Sequence, residues 1–329
     1  YGDHRDLPSF PTRRSSDLYE NLREARHREF AQASVREPSH AGAAYPAGTE
    51  ELRALFSSYL EGAEGVALPG ALCGIAAPHV SPEGGWESYR DAYQALPADY
   101  AERIFVVLGT SHYGAPDRFG LTRKDFRTPY GDARTERSLV DQLTAQAPGA
   151  IEMEDYCHAN EHSIEFQVAF LQHRYGPRVR ILPILCGPYA RSLYEGGLPE
   201  ESEHVKRFLG ALGEIHAKRR HEIAWVLGVD MAHIGRRYGD PFAAQAYLGE
   251  MLSVSGLDKA RIEAIAQGDA AGFWDQVQEH QDPLKWCGSA PFYTFLRAAP
   301  EARAQLLRYQ HWQIDAQSVV SFAAMAFTL

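Results

Sequence analysis

The sequence contains little cysteine and no long hydrophobic run. Its 329 residues include four cysteines, none of them in a CxxC pair: Cys73, Cys157, Cys186 and Cys287. So few thiols exclude a disulfide-stabilised scaffold, and we expect a reducing, cytoplasmic environment. No apolar stretch approaches the roughly 18 residues of a membrane-spanning helix. The N-terminus also lacks the charged-then-apolar pattern of a secretory signal peptide.

Positive charge and nucleotide-binding motifs are also scarce. The chain has 33 Lys and Arg against 43 Asp and Glu, and its net charge of −10 is spread along the sequence. A nucleic-acid-binding protein would be expected to carry a basic stripe, so we predict no such partner and no membrane partner. No Walker or GxGxxG motif follows a predicted strand, and GTSHYG lacks the GxSxG pattern of a nucleophile elbow.

The first 18 residues differ in origin from the rest. The stretch FPTRRSSDL, residues 10–18, matches the translation of a common sequencing-adapter oligonucleotide. We therefore interpret residues 1–18 as an assembly artefact and expect them to be disordered. Residues 19–35 form a charged leader, predicted to be mainly helical. Residues 36–329 are then predicted to form one domain, because no linker or repeat divides them.

Strand and helix patterns alternate through this domain. Buried-type strands are predicted in ALCGIAAPH, RIFVVLG, VRILPILCG and EIAWVLGVD, with amphipathic helices between them. This alternation predicts an α/β fold with a mostly parallel central sheet flanked by helices. Thr49 is the expected N-cap of one helix, and residues 131–146 are expected to form another. The C-terminal third is expected to be mainly helical until a last strand in QSVVSFAAMAF.

Three of the predicted strands end in the same way. GIAAPH ends at His79, FVVLGTSH at His112, and WVLGVDMAH at Asp230 and His233. Ligands of doubly wound sheets bind beyond the carboxyl ends of the strands, so these side chains are expected to converge there. Neutral imidazole is a common ligand of zinc, copper and iron, which predicts a metal site. Cys287, at the expected start of a helix, is a candidate third ligand, since a helix N-terminus and a nearby cation favour the thiolate.

A competing pattern occurs in CHANEHSIEF. His158, Glu161 and His162 match the HxxEH motif of inverted zinc peptidases. Asn160 resembles an N-cap, however, which would leave His158 outside the helix that starts at Glu161. We therefore expect His162 and Glu165 to lie behind the metal ligands as supporting groups rather than to bind zinc.

Eight short motifs together resemble one known family. In chain order they are SHAGAAYPA, APH, RIFVVLGTSH, TPYGD, EHSIE, GVDMAHIG, WCG and VVSFAAMAF. They resemble the Memo family, known in bacteria as AmmeMemoRadiSam system protein B, from about Arg36 to the C-terminus. The resemblance implies the fold of the class III extradiol dioxygenases, which are non-haem iron enzymes.

The resemblance also implies roles for individual residues. His79, His112 and Cys287 would hold the metal, and Asp230 and His233 would line the same cleft, with His233 in acid/base catalysis. Cys287 stands where the ring-cleaving relatives have a carboxylate, which makes the site softer and more suitable for Cu(I) or Zn. Iron remains the metal we expect first.

Three functions remain open at this point. The first is a metal-dependent redox enzyme, dioxygenase-like, that uses iron or copper on a small-molecule substrate and acts with an AMMECR1-type protein and a radical SAM enzyme. The second is a non-catalytic partner that delivers metal or substrate to an AMMECR1-type protein and a radical SAM enzyme, the partners that the family's bacterial name implies. The third is a zinc hydrolase that uses the same ligands.

Overall fold

The computed structural model describes residues 12–62 and 67–329, with side chains described from residue 18 onwards. Its helices are α1 (Thr12–Gln32), α2 (Thr49–Leu60), α3 (Pro82–Ala95), α4 (Arg137–Gln146), α5 (Cys157–Asn160), α6 (His162–Tyr175), α7 (Ala190–Glu195), α8 (Glu203–Arg219), α9 (Glu250–Ala266), α10 (Ala270–Gln278) and α11 (Ser289–Ala298). Its strands are β1 (Val35–Arg36), β2 (Leu72–Ala77), β3 (Ile104–Thr110), β4 (Phe119–Leu121), β5 (Asp125–Thr128), β6 (Gly131–Thr135), β7 (Ile151–Met153), β8 (Arg180–Cys186), β9 (Ile223–Gly228), β10 (His233–Gly235), β11 (Arg303–Asp315) and β12 (Ser318–Thr328).

The strands form one 12-stranded sheet with a parallel centre. Strands β6, β8, β3, β9 and β2 lie side by side in this order and run parallel. On one side, β12 pairs antiparallel with β2 and also with β10 and β11. Every residue of β2, β3 and β9 is buried, as expected for parallel strands covered on both faces. The predicted α/β fold is confirmed.

The sheet separates two hydrophobic cores. Along β3, Val106 and Leu108 face one core, while Phe105 and Val107 face the other, which follows from the two-residue period of a strand. Helices α4, α8, α9, α10 and α11 contribute to the first core, and α2, α3 and α6 to the second. Burial of each such side chain contributes about 1.5–3 kcal/mol, so the central strands are firmly held.

Several local predictions were wrong. Residues 131–146 form strand β6 followed by α4, because alternate side chains such as Ala133 and Thr135 are buried. Helix α2 is capped by Gly48, and the Thr49 hydroxyl instead donates a hydrogen bond to a backbone carbonyl. The C-terminal third contains an additional long strand, β11, which forms a hairpin with β12. Most residues of β11 are half-buried, so its sequence does not show the alternation of apolar and polar residues that predicts a strand.

The N-terminal segment also differs from expectation where it is described. Residues 12–18 belong to helix α1, where disorder was expected, and their interpretation as an assembly artefact stays a prediction. This helix continues into the charged leader, whose side chains are almost all exposed. The prediction for residues 1–11 lies outside the described residues. Within the described part of the chain, no helix is long and apolar enough to cross a membrane.

Candidate metal centre

The candidate site lies where three neighbouring parallel strands end. In the sheet register Ala77 lies beside Gly228, and Gly228 lies beside Gly109, so β2, β9 and β3 end at the same edge. His79 and His112 follow two of these ends within a few residues. The sheet register therefore brings these strand ends together, as the sequence predicts.

Two glycines allow helix α6 to approach this edge. A Cβ atom on Gly228 would lie 2.1 Å from the carbonyl oxygen of Ser163, and one on Gly109 would lie 2.5 Å from the Ser163 hydroxyl. A larger residue at Gly228 would therefore displace the helix backbone, and one at Gly109 would displace the side chains of Ser163 and Ile164. The close contact places the first residue of α6, His162, over the strand ends.

Three histidines meet there. One ring nitrogen from each of His79, His112 and His162 lies within 4.8 Å of the other two. Bonds of about 2.0–2.1 Å to one metal would place such atoms no more than about 4 Å apart, so small side-chain rotations would suffice for binding. His162 therefore joins the candidate ligands, whereas the sequence analysis placed it behind them.

Cys287 adjoins this cluster at His79. Its sulfur lies 3.2 Å from Nε2 of His79 and 3.6 Å from the carbonyl oxygen of Asp230. The cysteine precedes α11, which begins at Ser289, and its own carbonyl accepts a hydrogen bond from the Thr110 hydroxyl at the end of β3. A soft sulfur ligand therefore lies beside His79, whereas the group of ligand atoms within 4.8 Å of one another consists of the three histidines.

Hydrogen bonds fix the orientation of His79. Its Nδ1 lies 2.9 Å from the carbonyl oxygen of Gly228, which can only accept, so Nδ1 carries the proton and Nε2 presents a lone pair towards Cys287. Its backbone N–H donates to Oδ1 of Asp230 at 2.8 Å. Burial lowers the pKa of His79 to about 3, so its ring is neutral, the form that binds a metal.

Glu161 orients His112 in a comparable way. Nδ1 of His112 lies 3.0 Å from Oε2 of Glu161, and the same carboxylate accepts the backbone N–H groups of His112, His162 and Ser163. Burial alone would lower the pKa of His112, but the Glu161 hydrogen bond and charge outweigh it and raise that pKa. Carboxylates behind metal-binding histidines commonly fix the ring in this manner.

Glu161 also corrects the predicted start of α6. The helix begins at His162, and Glu161 is its N-cap, because its carboxylate accepts two of the free N–H groups of the first turn. Asn160 belongs instead to the short helix α5. The sequence EHSIE contains this signal, since an acidic side chain before a helix can cap it. Asn160, a more usual N-cap residue, directly precedes Glu161 and obscures it.

Burial dominates the pKa values of the remaining ligands. It lowers the pKa of His162 to about 3, and the repulsion that His79 would exert if both rings were protonated is the next cause. Burial and the charge of Asp230 raise the pKa of the Cys287 thiol well above its ordinary value. The expectation that a helix N-terminus favours the Cys287 thiolate was therefore wrong for the metal-free protein. A bound metal would have to displace this proton.

Glu165 lies behind the cluster, one turn further along α6. Its buried carboxylate pairs with the buried guanidinium of Arg36 and accepts hydrogen bonds from the Tyr45 hydroxyl and the Ser39 backbone. It also contacts the ring of His40 at 3.1 Å, and that ring lies 5.5 Å from the ring of His162. The motif SHAGAAYPA thus supports α6 and its histidine from behind.

Asp230 and His233 occupy the same edge but are not bonded as an acid/base pair. His233 begins strand β10. Its Nδ1 contacts the carbonyl oxygens of Met231 and Lys285 at 2.9 and 3.2 Å, which leaves Nε2 free. Burial lowers the pKa of His233, against the charge of Asp230. Asp230 itself is bonded to the backbone of His79 and Val80.

His158 takes no part in the cluster. Its Nε2 lies 3.0 Å from the carbonyl oxygen of Gly120, and its ring packs against Phe126. The short helix α5 and the break at Glu161 separate it from His162. The structure therefore does not support a zinc peptidase site in this motif.

The parallel sheet and the histidine cluster at its carboxyl edge define an α/β protein with a candidate metal site. The sequence matches the family model described as Memo-like protein over residues 36–326. The chain belongs to the Memo family, as its motifs predict.

Curated relatives are distant but cover most of the chain. A MEMO1 family protein of Methanococcoides burtonii is 31% identical over 279 residues, covering 84% of this chain and 92% of the relative. A MEMO1 family protein of Aquifex aeolicus is 25% identical, and the match covers 93% of this chain and 76% of the relative. The memo-1 homologue of Caenorhabditis elegans is 26% identical, and the match covers 82% of this chain and 72% of the relative. An uncharacterised Escherichia coli protein of known structure is similar at a TM-score of 0.48 and 11% identity, over 78% of this chain and 99% of that one.

Proposed function

We propose that the protein binds a divalent or redox metal, with iron as the first choice and copper or zinc as alternatives, and acts as an iron- or copper-dependent oxidoreductase on a small molecule. The observation that carries this proposal is the cluster itself. Three imidazole nitrogens lie within 4.8 Å of one another, and a cysteine sulfur lies 3.2 Å from one of them. His79, His112 and Cys287 would hold the metal, with His162 as a further ligand. Such a metal would supply Lewis acidity and electron transfer to the site.

The surrounding residues suit binding and proton transfer. Gly228 and Glu161 keep the rings of His79 and His112 in the tautomer that offers Nε2. His233 is partly exposed, has a free Nε2, and is neutral near pH 7 because burial lowers its pKa. It can therefore accept a proton from a substrate and return it, which is the role of a general acid/base.

A metal-delivery role is the second candidate, favoured by the soft ligand Cys287. Thiolate and imidazole together suit Cu(I) and zinc, which a delivery protein could pass to an AMMECR1-type protein or a radical SAM enzyme. The two functions predict different results. A delivery protein loaded with Cu(I) should lose the metal to such a partner within minutes, whereas an enzyme should retain it while converting substrate.

Metal analysis tests the proposal directly. Wild-type protein purified without oxygen should contain close to one equivalent of metal, whereas Cys287→Ser and His79→Asn variants should contain much less. His221→Ala is the matched control, because His221 is exposed and lies away from the cluster. Equal metal content in all four proteins would contradict the proposed site.

A further inference from the structure

A groove of about 450 Å³ lies at the opposite end of the sheet, where the parallel strands begin. Its walls come from the loop before β3, from β6 and from the segment between α6 and β8. Three of the lining residues are arginines, Arg134, Arg178 and Arg180, and one, Glu102, carries a carboxylate. The chain as a whole has a net charge of −10, so the groove is a local excess of positive charge on an acidic protein.

Two of these arginines are direct neighbours in the sheet. Arg134 on β6 lies beside Arg180 on β8 in the sheet register. Their side chains point to the same face, since the adjacent Ala133 and Ile181 both belong to the second core on the other face. Like charges opposite each other in neighbouring strands destabilise a sheet. An anion bound between the two guanidinium groups would relieve this repulsion.

The protein itself neutralises little of this charge. Arg180 donates to the backbone carbonyl of Glu102, and its guanidinium lies 3.8 Å from the carboxylate of Glu136. Arg134 and Arg178 are exposed, and neither forms a salt bridge or a side-chain hydrogen bond with any residue that the structure describes. Their guanidinium groups are therefore free to bind phosphate oxygens, for which the planar, weakly hydrated fork of arginine is well suited.

We infer that this groove binds the phosphate chain of a diphosphate or triphosphate compound. A phosphate group between Arg134 and Arg180 would contact both members of the neighbouring pair. Arg178 lies two residues before Arg180, which is no more than about 7 Å along the chain. A second phosphate group, linked to the first, can therefore reach Arg178, whereas a single phosphate group would leave part of the positive charge without a partner.

The groove is separate from the candidate metal centre. Ile104, the first residue of β3, lies beside Arg180 in the register, whereas the last residue, Thr110, lies two positions before His112. Seven residues of a strand span about 23 Å. A phosphate chain in the groove would leave the metal centre open, so the inference does not depend on the proposed function.

Calorimetric titration with pyrophosphate, ADP and inorganic phosphate tests the inference, using the protein as purified and after removal of metal by a chelator. Pyrophosphate and ADP should bind equally well in both states, and phosphate should bind at least about threefold more weakly because it makes fewer charge-assisted contacts. Similar affinities for pyrophosphate and ADP would identify the phosphate chain alone as the ligand, and a higher affinity for ADP would identify a nucleotide. Binding of phosphate as tight as that of pyrophosphate, or binding that requires the metal, would overturn the inference.

Arginine variants provide the location. Arg134→Gln and Arg178→Gln should each weaken pyrophosphate binding about threefold to fivefold, the range for exposed charge pairs, and the double variant at least about tenfold. Both side chains are exposed, so urea unfolding should show unchanged stability. Arg191→Gln, at an exposed position of α7 beyond the other end of β8, is the matched control and should bind like wild type. Unchanged binding in the double variant, or an equal loss in Arg191→Gln, would overturn the inference.

Discussion

The histidine side and the cysteine side of the candidate metal centre are held in different ways. His79 and His112 follow strands whose residues are all buried, and a carbonyl and a carboxylate orient their rings. Cys287 follows an irregular segment, residues 279–286, in which four non-glycine residues have positive φ: His280, Gln281, Asp282 and Lys285. The histidine side therefore depends on the regular sheet. The cysteine side depends on side-chain contacts that stabilise a backbone with unfavourable positive φ angles.

Those contacts come from several distant parts of the chain. Arg261 on α9 pairs with Asp282 at 2.8 Å, and Asp240 pairs with Lys285 at 2.8 Å. Asp258, also on α9, accepts Nε1 of Trp286, the residue before the cysteine. Residues in left-handed conformations cost about 1–3 kcal/mol each and persist only when their surroundings hold them. We therefore expect the cysteine side to be the more easily displaced.

The largest effect should come from removing a ligand on the histidine side. His112→Ala should abolish stable metal binding, because one of few protein ligands is lost. His233→Ala should retain metal near the wild-type amount while losing turnover, because its role is to exchange protons. Metal analysis, thermal melting and an activity assay of both variants measure this difference. Equal loss of metal in the two variants would place His233 among the ligands.

The next largest effect should come from the buried pair of Glu165 and Arg36, which supports helix α6 behind His162. Glu165→Gln leaves Arg36 buried without its counter-charge, which should destabilise the fold by about 3–5 kcal/mol in urea unfolding. Asp132→Asn is the control, because its pair with Arg127 is exposed and screened by solvent, so its loss should change stability far less. A similar loss in both variants would show that the buried pair has no special role.

This stabilisation should depend on pH in a defined direction. Burial would raise the pKa of Glu165, but its hydrogen bonds to His40 and Tyr45 and the charge of Arg36 outweigh it and lower that pKa below 4.5. The stabilisation is therefore complete above about pH 4.5 and is lost as the pH falls towards the pKa of the folded state. The difference in unfolding free energy between wild type and Glu165→Gln should narrow over that range. A difference that widens on acidification would contradict this account.

A smaller effect is expected on the cysteine side. Asp258 accepts hydrogen bonds from Trp286, Tyr309 and Ser321. The Tyr309 hydroxyl also lies 2.9 Å from Nε2 of His311, so Asp258→Ala leaves the donors of Trp286 and Ser321 unpaired and should cost about 2–3 kcal/mol. Because Trp286 is released, the sulfur–metal absorption band of cobalt-substituted protein should also shift. Asp275→Ala, at an exposed position of α10, is the control and should change neither quantity. Lower stability with an unchanged band would mean that Asp258 does not position Cys287.

The same comparison explains what could be predicted from the sequence. Buried strand patterns located the ends at His79 and His112, because period and polarity are local properties of the chain. The proximity of His162 depends on how α6 packs over Gly109 and Gly228, which no local pattern encodes. The role of Glu161 was masked by Asn160, and the contacts of Asp258 with Trp286 join residues far apart in the chain. Its expected position at a helix start made Cys287 a candidate ligand, and the family resemblance strengthened that prediction.

The smallest effect concerns the backbone before Cys287. Gln281 is exposed and has a φ of 58°, a conformation that glycine adopts without cost. Gln281→Gly should therefore leave stability unchanged or raise it by up to about 1 kcal/mol, since the relief of strain exceeds the entropy lost on folding. Gln142→Gly, inside helix α4, should instead destabilise the protein by about 1 kcal/mol. Urea unfolding of the two variants compares the same substitution in irregular and regular backbone. Equal destabilisation would show that the segment before Cys287 is not strained, and the cysteine side would then be as firmly built as the histidine side.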